Sequence, residues 1–382
     1  MALKRFFEPL RVGSRRLVAR LLLRRICRTA TLFAQARESS RGEYRRSRRN
    51  TIAWCEVGQH LTHAGKLRRY ANNRCRCCHT QHANAFTQAA FGELHVKPSL
   101  FGYARAESVE DALSLLAQGD GETRVLAGGQ SLVPLLNLRM ARVNALIDVN
   151  GLSELSFITR EDGVLRVGAL TRHRHLEVSE TARLAQPLLS RAAAEIGHLA
   201  IRNRGTIGGS LVHADPAAEW PLVAVTLDAQ FILRSEKNSR TFAARNFFLG
   251  PLTTAIGPDE MLCEIRFPML AGRTLWGFQE LCRRPGDFAI AAVACQIALD
   301  EDGLCARAAL GVGGAHSAPL LISEVDKVLK GSRGEDAAIS DAAEKAAAAI
   351  DPPSDLHGSG EYRRRLVKVL ATRALKQAWS KP

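Results

Sequence analysis

The sequence has no long apolar run. The longest apolar patch near the N-terminus is Leu21-Leu22-Leu23, and arginines flank it on both sides. A membrane-spanning helix needs about 20 consecutive apolar residues, and the core of a signal peptide needs about 7–15. The sequence therefore predicts neither a membrane span nor a signal peptide, and we expect a cytoplasmic protein.

Acidic residues are scarce in the first quarter of the chain. Residues 1–94 contain 20 of the 53 lysines and arginines but only 5 of the 38 aspartates and glutamates, so residues 95–382 contain 33 of each kind. This division excludes a uniformly basic nucleic-acid-binding protein. The composition of residues 1–95 favours a basic, disordered extension.

Three other interpretations of residues 1–95 stay open. An organelle transit peptide is also arginine-rich, and an arginine-rich segment can bind nucleic acid or a membrane surface. No methionine lies between Met1 and Met140, and a Val96 codon could be the natural start of a bacterial protein. Residues 1–95 would then be upstream sequence that is translated from a misplaced start.

The cysteines lack a pattern for a metal or a disulfide framework. The run from Cys75 to His79 carries thiols and imidazoles that can bind zinc, but no second pair lies at a suitable distance. The later cysteines stand singly, at Cys263, Cys282, Cys295 and Cys305. This arrangement predicts buried thiols in a reducing compartment and excludes an iron–sulfur cluster on residues 95–382. We therefore predict no metal site on this chain.

Common nucleotide and catalytic motifs are also missing. No GxxxxGK[ST] occurs, and Gly311-Val312-Gly313 lacks a third glycine because position 316 is histidine, which disfavours P-loop and Rossmann domains. No GxSxG or HExxH occurs either. Lone histidines favour packing or surface positions, so we predict no catalytic residue among His173, His175 and His198.

Apolar patterning predicts two domains, at 96–270 and 275–382. In the first, a capping box at Ser108 and Asp111 starts a helix, Thr171 caps a second, and helices follow at 184–196 and 221–227. Short strands are predicted there at 125–127, 145–149, 164–167, 229–234 and 263–267. In the second, three strands (275–281, 290–299, 306–312) precede three helices (324–330, 337–349, 361–379). Strands followed by helices are typical of an α+β domain.

Two glycine segments carry the clearest functional signal. The first glycine segment is Ala127-Gly128-Gly129-Gln130-Ser131-Leu132, and the second is Thr206-Ile207-Gly208-Gly209-Ser210. Paired glycines let the backbone approach a ligand, and their amide groups can converge on an anion. Each segment alone is more often a plain turn, but two such loops could bind a diphosphate from both sides without an arginine cluster.

Several ordered motifs resemble one family, the FAD-binding medium subunits of the molybdenum hydroxylases, such as carbon monoxide dehydrogenase and xanthine dehydrogenase. The resemblance covers the chain from about Val96 to the C-terminus. Its motifs are LAGGQSLVPL (126–135), IRNRGTIGGSL (201–211), HADPAAE (213–219), FLGPLTT (248–254) and RRPGDFA (283–289). It implies a vanillyl-alcohol-oxidase-like FAD-binding domain of two α/β subdomains, followed by a smaller C-terminal domain with a three-stranded sheet and helices.

The resemblance also implies the site residues. Both glycine segments would hold the FAD diphosphate through backbone amides, with hydroxyl contacts from Ser131, Thr206 and Ser210. Glu219 would lie near the ribose, Leu262 (or Met261) would pack on the cofactor, and Gln279 would lie near the flavin pyrimidine ring. Phe288 would lie either near the isoalloxazine or in the core.

The implied role is electron transfer. A large partner subunit would carry the molybdenum cofactor, and a small partner would carry 2Fe-2S clusters whose electrons reach this FAD and leave to an external acceptor. We expect a dimer of heterotrimers. The alternative is a free-standing FAD oxidoreductase of the same fold. The substrate stays open among carbon monoxide, purines, N-heterocycles and aldehydes.

Overall fold

The computed structural model describes residues 97–119 and 121–380. These residues belong to one compact unit, Glu93–Pro382. The predictions for residues 1–95, including the disordered extension, the zinc alternative and the misplaced start, lie outside the described residues.

A small parallel sheet opens the described chain. Strands β1 (Gly102–Arg105), β2 (Thr123–Leu126) and β3 (Ala145–Asp148) lie in the order β1-β3-β2. Helix α1 (Val109–Ala117) begins where predicted, because the Ser108 side chain accepts a hydrogen bond from the Asp111 amide. Its apolar face is buried against Ile147. The short helix α2 (Leu132–Asn137) follows β2.

A five-stranded antiparallel sheet forms the second layer. Its order is β4-β5-β10-β6-β7, from β4 (Ile158–Glu161), β5 (Val164–Gly168), β6 (Gln230–Arg234), β7 (Ser239–Ala243) and β10 (Met261–Pro268). Strands β8 (Phe248–Gly250) and β9 (Thr253–Thr254) form a separate hairpin. Six helices lie between β5 and β6 in the chain: α3 (His173–Val178), α4 (Glu180–Ala185), α5 (Pro187–Glu195), α6 (Leu199–Arg202), α7 (Ile207–His213) and α8 (Glu219–Thr226).

Three predictions about helix limits in this region were wrong. The predicted helix 184–196 is divided between α4 and α5, because Pro187 cannot donate the backbone hydrogen bond that would continue α4. Thr171 does not cap α3; its hydroxyl donates to the carbonyl of Phe157 at 3.0 Å. Helix α8 begins at Glu219, so Pro221 lies third in the helix and not first.

The C-terminal part is a sheet covered by helices, as predicted. Strands β11 (Thr274–Cys282), β12 (Ala289–Leu299) and β13 (Cys305–Gly313) form an antiparallel sheet, to which the two-residue strand β14 (Leu320–Leu321) adds a fourth member. Helices α9 (Ser323–Leu329), α10 (Asp336–Ala349) and α11 (Gly360–Trp379) close the chain.

Both faces of the C-terminal sheet are covered by protein. Helix α11 lies so close to Gly277 that a Cβ there would lie 2.8 Å from the carbonyl carbon of Ala374. On the opposite face, Phe278 is fully buried in the core that includes α5 and α8. The C-terminal sheet therefore presents one face to its own helices and the other to the preceding part of the chain.

The thiols agree with the prediction of unpaired cysteines. Cys263, Cys295 and Cys305 are buried, Cys282 is half-buried, and none of the four forms a disulfide within residues 97–119 and 121–380. Within the part of the chain that the structure describes, no helix is long and apolar enough to cross a membrane.

Candidate functional site

The first glycine segment presents a row of backbone amides. It follows β2 directly, and Gly129 adopts the left-handed conformation with φ of +71°, which a side chain would disfavour. The amides of residues 128–132 have no acceptor among the residues that the structure describes. The Gln130 side chain folds back and donates to the Gly128 carbonyl at 3.1 Å. Five consecutive free donors suit an anion.

The second glycine segment was predicted to be a loop, but it forms the start of helix α7. Thr206 is its N-cap and accepts a hydrogen bond from the Gly209 amide at 3.1 Å. The Ile207 amide donates to the Thr171 carbonyl at 3.0 Å, and the Gly208 amide donates to the Ala169 carbonyl at 2.9 Å. These amides are therefore already paired, and the prediction that both segments expose their amides was wrong for the second.

The two segments lie against each other. A Cβ on Gly128 would lie 2.7 Å from the Cα of Gly205, a distance at which something must move. A Cβ on Gly209 would lie 3.8 Å from the Cβ of Ala127. We call the line along which the two segments meet the seam. Gly209 is exposed and Ser210 is half-buried beside it. The glycines thus allow a backbone approach that side chains would prevent.

Two polar residues that the sequence analysis missed connect the segments. Asn150 follows β3, and its side-chain amide donates to the Ala127 carbonyl at 2.7 Å. Arg172 precedes α3 and donates to Asn150 Oδ1 at 2.8 Å and to the Arg204 carbonyl. An asparagine just after a predicted strand was the only available signal, because no sequence spacing shows which carbonyls it reaches.

Two buried carboxyls, on α8 and β11, have a raised pKa. Glu219, the first residue of α8, is 6% exposed, and burial raises its pKa to about 7. Burial, followed by the charges of Glu219 and Glu195, raises the pKa of Glu280 to about 8. Glu280 Oε2 is buried and has no hydrogen-bond partner among the described residues. Sequence analysis did not identify Glu280.

Gln279 lies on the other face of β11. Its side chain donates to Gln377 Oε1 on α11 at 3.1 Å, whereas Phe278 and Glu280 point towards the part of the chain that precedes the sheet. The structure therefore does not bring Gln279 to the glycine segments. Leu262 is buried in the main core on β10, and its neighbour Met261 is buried in the cluster that contains α1.

Phe288 lies at an open cleft between the C-terminal sheet and the preceding part. It is 61% exposed, so the core alternative for this residue was wrong. The cleft has a volume of about 840 Å³, and its lining includes His198, Asp215, Arg283 and Arg363. It does not include the glycine segments.

His173 has a structural role. It is 4% exposed, its Nδ1 accepts a hydrogen bond from Trp220 Nε1 at 2.9 Å, and burial lowers its pKa to about 3. The imidazole is therefore neutral at physiological pH. Within the described part of the chain, no group of three histidine, cysteine or acidic side chains could hold a metal ion.

The site fits the diphosphate of a dinucleotide. A row of free amides provides neutral donors for negative oxygens, and the facing glycines leave the seam open. Together with the mixed α/β fold, these features are typical of a dinucleotide-binding protein.

Comparison with known proteins gives the same result. Residues 99–270 match the family described as "FAD binding domain in molybdopterin dehydrogenase", and residues 276–378 match "CO dehydrogenase flavoprotein C-terminal domain". The chain belongs to the family of FAD-binding medium subunits of the molybdenum hydroxylases.

Relatives cover the same region. The 6-hydroxypseudooxynicotine dehydrogenase complex subunit alpha of Paenarthrobacter nicotinovorans is 41% identical over 283 residues, which are 74% of this chain and 96% of the relative. The glyceraldehyde dehydrogenase medium chain of Sulfolobus acidocaldarius is 40% identical over 281 residues, 73% and 99% of the two chains.

A solved structure shares the fold. It is that of carbon monoxide dehydrogenase from Hydrogenophaga pseudoflava lacking the Mo-pyranopterin moiety of its molybdenum cofactor. The match has a TM-score of 0.72 and 34% identity, and covers 74% of this chain and 98% of that chain. The predicted fold class and the FAD cofactor are confirmed.

Proposed function

We propose that this chain is the electron-transfer subunit of a molybdenum hydroxylase. It receives electrons from the iron–sulfur clusters of a small partner subunit and passes them through FAD to an external acceptor. The single observation that supports this most is the row of free amides at residues 128–132, which lies against the glycine-rich start of α7. The membership of the chain in the medium-subunit family supports the same role.

The residues of this chain bind and orient the cofactor. Bound FAD supplies the redox chemistry, while the protein supplies position and electrostatics. The amides of the first segment neutralise the diphosphate, and the glycines of the second segment keep its path free of side chains. The proposed contacts are Ala127, Gly128, Gly129, Gln130, Ser131, Leu132, Thr206, Ile207, Gly208, Gly209, Ser210, Glu219 and Leu262. The family resemblance adds Gln279, whose side chain donates to Gln377 on α11 in this structure.

Hydroxyl and carboxyl groups complete the proposed site. Thr206 Oγ1 already accepts the Gly209 amide, so its own proton remains free to be donated to a phosphate oxygen. A carboxylate at Glu219 can accept hydrogen bonds from ribose hydroxyls. The residues divide into an FAD-binding domain at 96–270 and a C-terminal flavoprotein domain at 275–382.

The partners follow from the family. We infer a small subunit with 2Fe-2S clusters and a large subunit with the molybdenum cofactor, assembled as a dimer of heterotrimers in the cytoplasm. The unpaired thiols of the described residues support a reducing compartment.

Purification of the native complex tests this proposal. The chain should co-purify with one larger and one smaller partner, and the preparation should contain FAD, iron and molybdenum. Anaerobic addition of carbon monoxide, a purine, an N-heterocycle or an aldehyde should bleach the flavin in the complex but not in the isolated chain. Reduction of the isolated flavoprotein by one of these compounds would instead support a free-standing oxidoreductase.

A further inference from the structure

A continuous chain of hydrogen bonds runs from the first glycine segment to Arg204, two residues before the second. The Asn150 side-chain amide donates to the carbonyls of Ala127 (2.7 Å) and Leu126 (3.3 Å), the last residues before Gly128. Arg172 donates to Asn150 Oδ1 at 2.8 Å and also to the carbonyl of Arg204. Both ends of this chain are therefore backbone carbonyls that immediately precede a glycine.

We propose that Asn150 and Arg172 form a positioning clamp that sets the separation of the two glycine segments and thereby the affinity for FAD. The clamp rests on the proposed assignment of these segments to the FAD diphosphate. Neither residue belongs to a glycine segment, and both act through the backbone that they hold.

The two side chains suit this position chemically. An asparagine amide donates from its nitrogen and accepts at its oxygen, so it can bond a carbonyl and a guanidinium at once. The planar guanidinium of Arg172 carries several donors in a fork, which lets it bond two oxygens in fixed directions. No apolar or acidic residue of similar size could replace Asn150 in both roles.

A second set of contacts fixes the orientation of Asn150. Asp148 Oδ1 accepts hydrogen bonds from the Asn150 backbone amide at 2.9 Å and from its side-chain amide at 2.7 Å. Tyr103 donates to the other oxygen of Asp148 at 2.6 Å. The carboxylate therefore keeps the amide nitrogen of Asn150 on the side of the first segment and its oxygen on the side of Arg172.

The backbone of the second segment is joined to the clamp as well. Arg172 and Thr206 form an antiparallel bridge, and the His173 amide donates to the Gly205 carbonyl at 3.1 Å. Movement of Arg172 would therefore move the cap of α7. A site whose two halves are held before the ligand arrives loses less free energy to ordering on binding.

Titration of the full-length chain with FAD, followed by quenching of flavin fluorescence, tests the clamp. We expect about a tenfold increase in the Kd for FAD in Asn150→Leu and in Arg172→Met, because each variant loses the hydrogen bond between the Arg172 guanidinium and Asn150 Oδ1 that holds the segments together. Because the two residues act in series, the double variant should bind FAD no more weakly than the single variant with the higher Kd. Independent contributions would instead multiply.

Arg240→Met is the matched control. Arg240 also donates to a backbone carbonyl, that of Ala255 at 3.0 Å, and to a side-chain oxygen, that of Glu260 at 2.7 Å. It lies on β7, outside the seam. The Arg240→Met variant should have a lower melting temperature as apoprotein but an unchanged Kd for FAD. Should Arg172→Met not fold, Arg172→Lys keeps the charge but not the fork and should raise the Kd roughly threefold.

Two outcomes overturn the clamp. One is a Kd within about twofold of wild type for both single variants; the other is a loss in the double variant that equals the product of the single losses. Gly209→Asp separates the clamp from the site itself. If this variant loses FAD while the clamp variants keep it, only the clamp is wrong; if Gly209→Asp binds FAD normally, the diphosphate assignment fails and the clamp with it.

Discussion

Gly128 and Gly205 touch through their backbones, since a Cβ on Gly128 would lie 2.7 Å from the Cα of Gly205. The neighbour in this contact is backbone, which cannot move aside like the end of a flexible side chain. Gly128→Ala should therefore separate the two segments, lower the melting temperature and reduce the FAD content of the purified protein.

Gly250→Ala controls for the loss of glycine. A Cβ at Gly250 would meet nothing within 4 Å, so this variant should keep wild-type FAD content and melting temperature. Absorption spectroscopy and thermal unfolding measure both quantities. Equal behaviour of the two variants would show that the contact at Gly128 does not constrain the site.

The cap of α7 provides a second prediction. Thr206→Val keeps the shape of the side chain but removes the oxygen that accepts the Gly209 amide. Loss of an N-cap costs about 1 kcal/mol, so the melting temperature should fall by about 2 °C and FAD should bind more weakly. Thr206→Ser retains the hydroxyl and should restore both values. If Thr206→Ser is as impaired as Thr206→Val, a hydroxyl at this position is not sufficient and the cap does not account for the loss.

Stability should fall as the pH rises from 6.5 to 8. The pKa values of Glu219 and Glu280 are about 7 and about 8, above their ordinary value of 4.5, so the folded chain retains protons that the unfolded chain has released. Each such proton lowers the free energy of unfolding by at most about 1.4 kcal/mol per pH unit. The lowered pKa of His173 acts in the opposite direction, but only below pH 6.5.

Glu280→Gln isolates this effect. The uncharged amide removes the cost of ionising a buried carboxyl, so the variant should gain stability relative to wild type at pH 8 compared with pH 5. Exposed Glu301→Gln should follow wild type at both values. Urea unfolding at the two pH values measures the difference, and a Glu280→Gln curve parallel to wild type would contradict the buried position of the carboxyl.

The sequence was sufficient where a pattern is local. The Ser108 cap, the long strands of the C-terminal sheet and the three final helices depend on near neighbours in the chain, and the structure confirms them. The glycine motifs were also recognisable. Their resemblance to a known family supplied the fold and the cofactor, which composition and periodicity alone did not.

Tertiary contacts decided the rest. Ile-Gly-Gly-Ser has poor helix propensity, yet α7 starts there because the amides of Ile207 and Gly208 find carbonyl acceptors on a distant part of the chain. Both faces of β11 are covered by protein, so apolar alternation could not show that Glu280, and not Gln279, points towards the FAD-binding region. No local pattern indicated Asn150 and Arg172, because they lie far from each other in sequence and from the carbonyls of Ala127 and Arg204 to which they donate.

Equilibrium titration of Gly209→Asp and Gly209→Asn with FAD tests the central claim most directly. Both side chains meet Thr206 Oγ1 equally, because a Cβ at Gly209 would lie 2.8 Å from that atom, so the two variants differ only in charge. An aspartate in the first turn favours the helix itself. The account predicts that Gly209→Asp is at least as stable as Gly209→Asn yet binds FAD far more weakly, because its carboxylate repels the diphosphate. Equal FAD affinity of the two variants would contradict the assignment of this seam to the diphosphate.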